Sequence, residues 1–246
     1  MIRSLKILVL ALVAALAMSA GGLSTALAQE EQGLLTSEKS TPVTLTAKET
    51  GGAGANALTA FGAKAECPGS TYTGHKYNVT PHALILSGAT RVTLTPHYKQ
   101  ENCIVAGIWR MTVEMNGCDY VLNIGETTPI GNEEGTYGVT TDIVCPGGKS
   151  IAITMYKTEP KHDNDEPFCI LKLKEQAGLK GAHATDLGNG YIDIAGTFEG
   201  IHIDKAGIEA PFFCPNQTTS TGKLDVDLTV EAVNGTGDPT AISISD

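Results

Sequence analysis

Histidine and carboxylate side chains are where metal or acid–base chemistry would sit. His75, His82 and His97 fall within one stretch, seven and fifteen residues apart. Neutral imidazole is a common ligand of zinc and copper, so three together invite a metal reading. Structural zinc sites space paired ligands only a few residues apart, which these do not. Each histidine also stands beside turn or strand-edge residues, where a solvated imidazole is ordinary, and that reading is preferred. The densest polar cluster is His162-Asp163-Asn164-Asp165-Glu166. Asp163, Asp165 and Glu166 offer hard oxygens that suit Ca²⁺, although no cofactor is expected. The calcium-loop pattern fails because Pro167 occupies the place of the third ligand. A solvated turn is the simpler reading.

Other chemical signals are weaker. Gly148-Lys149-Ser150 imitates a phosphate loop, but that motif needs a glycine where Ile143 stands. Residues 151–153, Ile-Ala-Ile, also read as a strand and not as the required helix. No Gly-x-Ser-x-Gly elbow occurs. Among 27 acidic residues, no spacing selects a pair for glycoside cleavage. Aromatics make up only 5% and Trp109 is the sole tryptophan, which leaves few platforms for stacking sugars. Asn78-Val79-Thr80, Asn216-Gln217-Thr218 and Asn234-Gly235-Thr236 match the glycosylation acceptor, matches that a bacterial source would make incidental.

The cysteines point to a compartment. Cys67, Cys103, Cys118, Cys145, Cys169 and Cys214 form an even set without zinc spacing. In an exported chain such a set reads as three disulfides. Cys118 opens and Cys145 closes a hairpin, so these two should meet. Cys67 with Cys103 and Cys169 with Cys214 follow as neighbours in sequence. The N-terminus agrees with export. Arg3 and Lys6 precede an apolar run over 7–18, then small residues ending in Ala26-Leu27-Ala28. This is a secretory signal peptide over 1–28, with cleavage between Ala28 and Gln29. No Cys follows the cut to take a lipid, and no later stretch is apolar enough to span a membrane. Removing Arg3 and Lys6 takes the formal charge from −10 to −12. An acidic surface argues against nucleic acid and anionic lipid as partners.

The elements that must position any site are strands. Leu224-Asp225-Val226-Asp227-Leu228-Thr229-Val230-Glu231 alternates without a break, which turns Leu224, Val226, Leu228 and Val230 inward and the acids outward. Residues 92–94, 151–155, 171–173, 192–194 and 201–203 repeat the period of two. Thr44, Thr46, Thr93, Thr95 and Thr154 fill outward positions, where a β-branched residue suits a half-buried pleat. The expected fold is all-β, an antiparallel sandwich or repeated hairpins of about a dozen short strands. Cys67-Pro68-Gly69, Cys145-Pro146-Gly147 and Cys214-Pro215-Asn216 suggest a weak internal repeat, a strand ending in Cys-Pro and then a turn. Hairpins are expected before each, pairing 43–49 with 58–66, 118–124 with 137–144, and 191–203 with the run into Cys214. The expected organisation is a mobile segment over 29–40, a stapled β-region over 41–233 with a possible boundary near 109–116, and a loose tail over 234–246.

Residues 66–82, Glu-Cys-Pro-Gly-Ser-Thr-Tyr-Thr-Gly-His-Lys-Tyr-Asn-Val-Thr-Pro-His, with Met115-Asn116-Gly117-Cys118-Asp119-Tyr120 and Asp142-Ile143-Val144-Cys145-Pro146, resemble a group of secreted, disulfide-containing β-rich proteins of soil actinobacteria. The likeness covers most of the mature chain. It implies secretion and assigns no role to any residue. The expected function is therefore a non-catalytic extracellular or envelope protein that binds or builds. The alternatives are a secreted carboxylate-dependent hydrolase, or a metal or small-ligand carrier using the histidines or residues 162–166.

Overall fold

The structure, a computed structural model, describes residues 34–37, 42–51, 55–78, 91–98, 103–124, 136–156, 167–206, 214 and 219–245. All of it belongs to the unit that spans 31–246. The described residues form seventeen strands, more than the dozen expected. The first six are β1 (Leu34–Ser37), β2 (Pro42–Glu49), β3 (Ala57–Ala60), β4 (Ala63–Glu66), β5 (Thr71–Asn78) and β6 (Arg91–His97). Next come β7 (Ile104–Val105), β8 (Trp109–Glu114), β9 (Asp119–Ile124), β10 (Thr136–Val144), β11 (Ile151–Tyr156) and β12 (Pro167–Leu173). The last are β13 (Gln176–Asp186), β14 (Ile192–Lys205), β15 (Thr219–Val233), β16 (Pro239–Thr240) and β17 (Ile242–Ser245). A short 3-10 turn spans Pro146–Gly148.

The hydrogen-bonded order closes on itself twice. One ring runs β15, β2, β5, β6, β9, β10, β13, β14 and back to β15. The other runs β14, β12, β11, β8, β7, β4, β3, β15 and back to β14. Both rings share the long β14–β15 hairpin, and the pairings are antiparallel. Residues 192–196 of β14 pair with β13, whereas Asp204 and Lys205 pair with β12. Residues 228–233 of β15 pair with β2, and 223–225 with β3. Closure matters because an open sheet edge is a row of unpaired donors and acceptors.

The alternation in the sequence fills both rings. In the first, Val43, Leu45 and Ala47 of β2 are fully buried, with Leu94, Val139, Ile194 and Leu228. In the second, Ile151, Ile153 and Met155 of β11 meet Met111 and Val113 of β8. Val226, Leu228 and Val230 are buried as their spacing requires, and Leu224 is half-buried. The five outward threonines are half-buried on the opposite face.

The chain alternates between rings two strands at a time, and cysteines mark the crossings. β3–β4 belong to the second ring, β5–β6 to the first, β7–β8 to the second, β9–β10 to the first and β11–β12 to the second. Cys67 and Cys103 lie where the chain enters and leaves the β5–β6 hairpin, and they are bonded to each other. Cys118 and Cys145 do the same for β9–β10. Cys169 of β12 holds Cys214, in the connection between β14 and β15. These are the three pairs expected from neighbourhood in sequence. The Cys-Pro-Gly repeat is thus a crossover device at Cys67 and Cys145, where proline blocks continuation of the strand and glycine turns the chain.

Several expectations need correction. Residues 43–49 do not pair with 58–66. β2 pairs with β5 and β15, and 58–66 is itself the β3–β4 hairpin. Its turn is Phe61-Gly62, both at positive φ (52° and 78°), the conformation that matches strand twist in tight hairpins. Residues 109–114 are β8, bonded on both sides within the second ring, so no boundary falls there. The tail over 234–246 is not loose. It carries β16 and β17, with Thr240, Ile242 and Ile244 buried. Its partner is β1, inside the segment expected to be mobile.

Candidate functional site

The outer face of the first ring gathers the most polar chemistry. Thr46 and Lys48 of β2 both reach Glu231 of β15, at 3.3 and 2.9 Å. Thr50 donates to Asp227 at 2.8 Å, and Thr229 donates to Thr50 at 3.3 Å. Thr197 of β14 donates to Asp225 at 2.7 Å, and Lys223 pairs with Glu199. Because outward residues on adjacent strands stand opposite one another, Glu231, Asp227, Asp225 and Glu199 each find a partner on a neighbouring strand or connection. The hydrogen bond and charge of Glu231 raise the pKa of Lys48, and Glu199 raises that of Lys223 in the same way. Burial, then the Asp227 carboxylate, raises the pKa of Asp193, against the opposing pull of His183.

Asp193 therefore makes a testable contribution to stability. Its native pKa lies above its unfolded value, so the folded state holds its proton more tightly. Nothing is lost below the ordinary carboxylate range, where both states are protonated. The penalty grows as pH rises through the unfolded value and is complete above the raised native one. Asp193→Asn should raise the melting temperature at neutral pH, and only slightly because solvent screens the site. At about pH 3 the two melting curves should coincide. A gain of equal size at both pH values would refute the assignment.

Where β14 leaves β13 and has not yet reached β12, a side chain completes the ladder. The Gln176 amide accepts from His202 N–H at 2.7 Å and donates to the His202 carbonyl at 3.1 Å. Asp204 beside it takes Lys174 at 2.6 Å and His202 at 3.2 Å, and the Lys174 hydrogen bond leads in lowering its pKa.

Among the described residues, core side chains of both rings line two small cavities of about 50 and 20 Å³. Tyr72, Tyr120 and Leu224 line both. The Tyr98 and Tyr120 hydroxyls are 3.2 Å apart. Burial pushes the phenol pKa values of Tyr72, Tyr98 and Tyr120 upward, so all three stay neutral donors.

Of the candidate ligands singled out in the sequence, only His97 has a described side chain. His97 is exposed on β6, opposite Thr71. His75 lies in β5, but its side chain lies outside the described residues, as do His82, Asp163, Asp165, Glu166, Ala28 and Gln29. Among the described residues no group of three His, Cys, Asp or Glu could hold a metal ion. Among them, too, no helix is long and apolar enough to cross a membrane. Trp109 packs edge-on against Phe168 at 5.9 Å, and Arg110 lies 5.2 Å over Tyr156. Sequence reasoning missed the tyrosine trio and Glu49, whose Oε2 accepts the Gly69 and Ser70 N–H groups. The signal for Glu49 was present: it continues the inward row Val43, Leu45, Ala47.

No protein family, no curated protein and no solved structure matches this chain.

Proposed function

We propose that the mature protein is a secreted, non-catalytic scaffold of the extracellular space or cell envelope, acting by binding or as a structural part. The observation that carries this reading is how the outer face spends its carboxylates. Glu231, Asp227, Asp225 and Glu199 are each held by a Thr or Lys on an adjoining strand or connection, spread along one sheet face. Such a surface is pre-braced, so a partner would not have to order it on contact. The three disulfides fit an oxidising compartment, and the resemblance to secreted actinobacterial proteins points the same way.

One observation favours a second reading, a carboxylate-dependent hydrolase. Burial, then the neighbouring Asp227 carboxylate, raises the pKa of Asp193, the direction a general acid needs. The pair lies on an outward sheet face, which puts this reading second. Exported material should have an intact mass starting at Gln29 with six oxidised cysteines, and should show no turnover on ester, peptide and glycoside panels. Turnover that vanishes in Asp193→Asn, with circular dichroism unchanged, would replace the scaffold with the enzyme.

A further inference from the structure

Asn-Gly pairs occur at 116–117, 189–190 and 234–235. Asparagine before glycine is a place where a chain can modify itself. The glycine nitrogen, with no Cβ beside it, can attack the Asn side-chain amide carbon and close a small imide ring. How readily it does so depends on what holds that amide. The structure holds the three asparagines in different ways.

Asn234 stands at the turn from β15 into β16, half-buried and followed by exposed residues 235–239. Its Oδ1 accepts the Thr236 N–H and the Asp238 N–H, both at 2.9 Å, and lies 2.6 Å from the Thr236 hydroxyl. Asp238 Oδ2 shares that hydroxyl at 2.7 Å. The Asn234 amide nitrogen and the Gly235 N–H make no hydrogen bond among the described residues. The carbonyl oxygen, where negative charge develops, therefore meets fixed donors at the distances of an oxyanion hole, while nucleophile and leaving group face water. Asn116 is held the other way round. Its amide nitrogen donates to the Ser150 carbonyl at 2.9 Å and to the Glu114 carbonyl at 3.4 Å, bonds that must break before it can leave. Asn189 Oδ1 accepts one long bond, from the Tyr191 N–H at 3.3 Å.

We propose that Asn234 is a self-modification site that deamidates ahead of the other two. Solvent base takes the Gly235 proton, and the nitrogen bonds to Asn234 Cγ. The Cγ–Nδ2 bond then breaks and releases ammonia. Water opens the cyclic imide to aspartate or isoaspartate. Isoaspartate lengthens the backbone by one carbon in the turn that leads to β16 and β17.

The test is to incubate the mature, oxidised protein at mildly alkaline pH, digest it, and follow the three Asn-Gly peptides by mass. The peptide with Asn234 should convert from amide to acid at least about tenfold faster than the others, less than one donor supplies in a closed oxyanion hole. In the reduced chain in guanidinium the three rates should draw level. Thr236→Val keeps the backbone donors and removes the hydroxyl, and should slow conversion at Asn234 alone. An intact Asn234, or Asn116 or Asn189 reacting first in the folded protein, would overturn the proposal. So would an equal lead for Asn234 in the denatured chain, or an unchanged rate in Thr236→Val.

Discussion

Reduction of the three disulfides is expected to unfold the protein. The bonds close loops with separations of 36, 27 and 45 residues. In the chain-entropy account each closure contributes about 4 kcal/mol by restricting the unfolded ensemble. Together they supply on the order of 10 kcal/mol, comparable with the whole stability of an ordinary domain. The topology sharpens the case. Each ring is assembled from hairpins distant in sequence, so its contacts are non-local and costly to close. Two bonds bring together the entry and exit of hairpins in the first ring, and losing them frees the crossings on which that ring depends. Circular dichroism of the reduced and alkylated protein should show loss of strand signal at room temperature. Cys118→Ala with Cys145→Ala, which opens the shortest loop, should alone cost about 3–4 kcal/mol in denaturant unfolding. A reduced protein that melts within a few degrees of the oxidised one would show that the rings do not rely on their staples.

Gly196→Ala should cost about 3–5 kcal/mol, the sum of backbone strain and overpacking at one position. Gly196 has φ of 134°, where a side chain is strained whatever the space. The space is also closed. An added Cβ would stand 2.6 Å from the Gly181 carbonyl oxygen and 2.7 Å from the Ala182 Cα, both backbone atoms that cannot swing aside. Gly181 is the reciprocal case, with φ of 124° and the Thr197 carbonyl 2.1 Å from its would-be Cβ. The two glycines lie together where the β13–β14 pairing ends, with Gly196 opposite Ala182. Chemical denaturation of Gly196→Ala measures the effect. A control at Gly188, also at positive φ (67°) but with open space around its Cβ, should lose less. Equal losses at the two positions would mean that close approach is not what requires glycine at 196.

Fold class was legible because period two is a local property. Leu224 to Val230 alternate in the chain and in the structure, and the outward threonines likewise. The disulfide pairs were legible for a related reason: each cysteine meets its neighbour in sequence across a hairpin or a strand connection. Ring closure was not legible. It depends on which strands pair at a distance, as when β2 joins β15, and alternation says only which face is inward. The same limit explains the missed tail. Residues 239–245 are too short and polar to announce strands, and they are ordered by distant partners. Ile242 N–H donates to the Gly190 carbonyl and Ile244 N–H to Asp186 Oδ2. The polar outer face was half legible. Asp225, Asp227 and Glu231 follow from the alternation of β15, but their partners Thr197 on β14, Thr50 just after β2, and Thr46 and Lys48 on β2 are known only once register is known.

The central claim is that the folded, stapled scaffold acts by binding. The measurement that reaches it most directly is retention of isolated envelope and matrix fractions on immobilised mature protein, beside a reduced and alkylated copy. A discrete component should be held by the oxidised protein and not by the reduced one. Equal retention by both forms, or none by either, would contradict it.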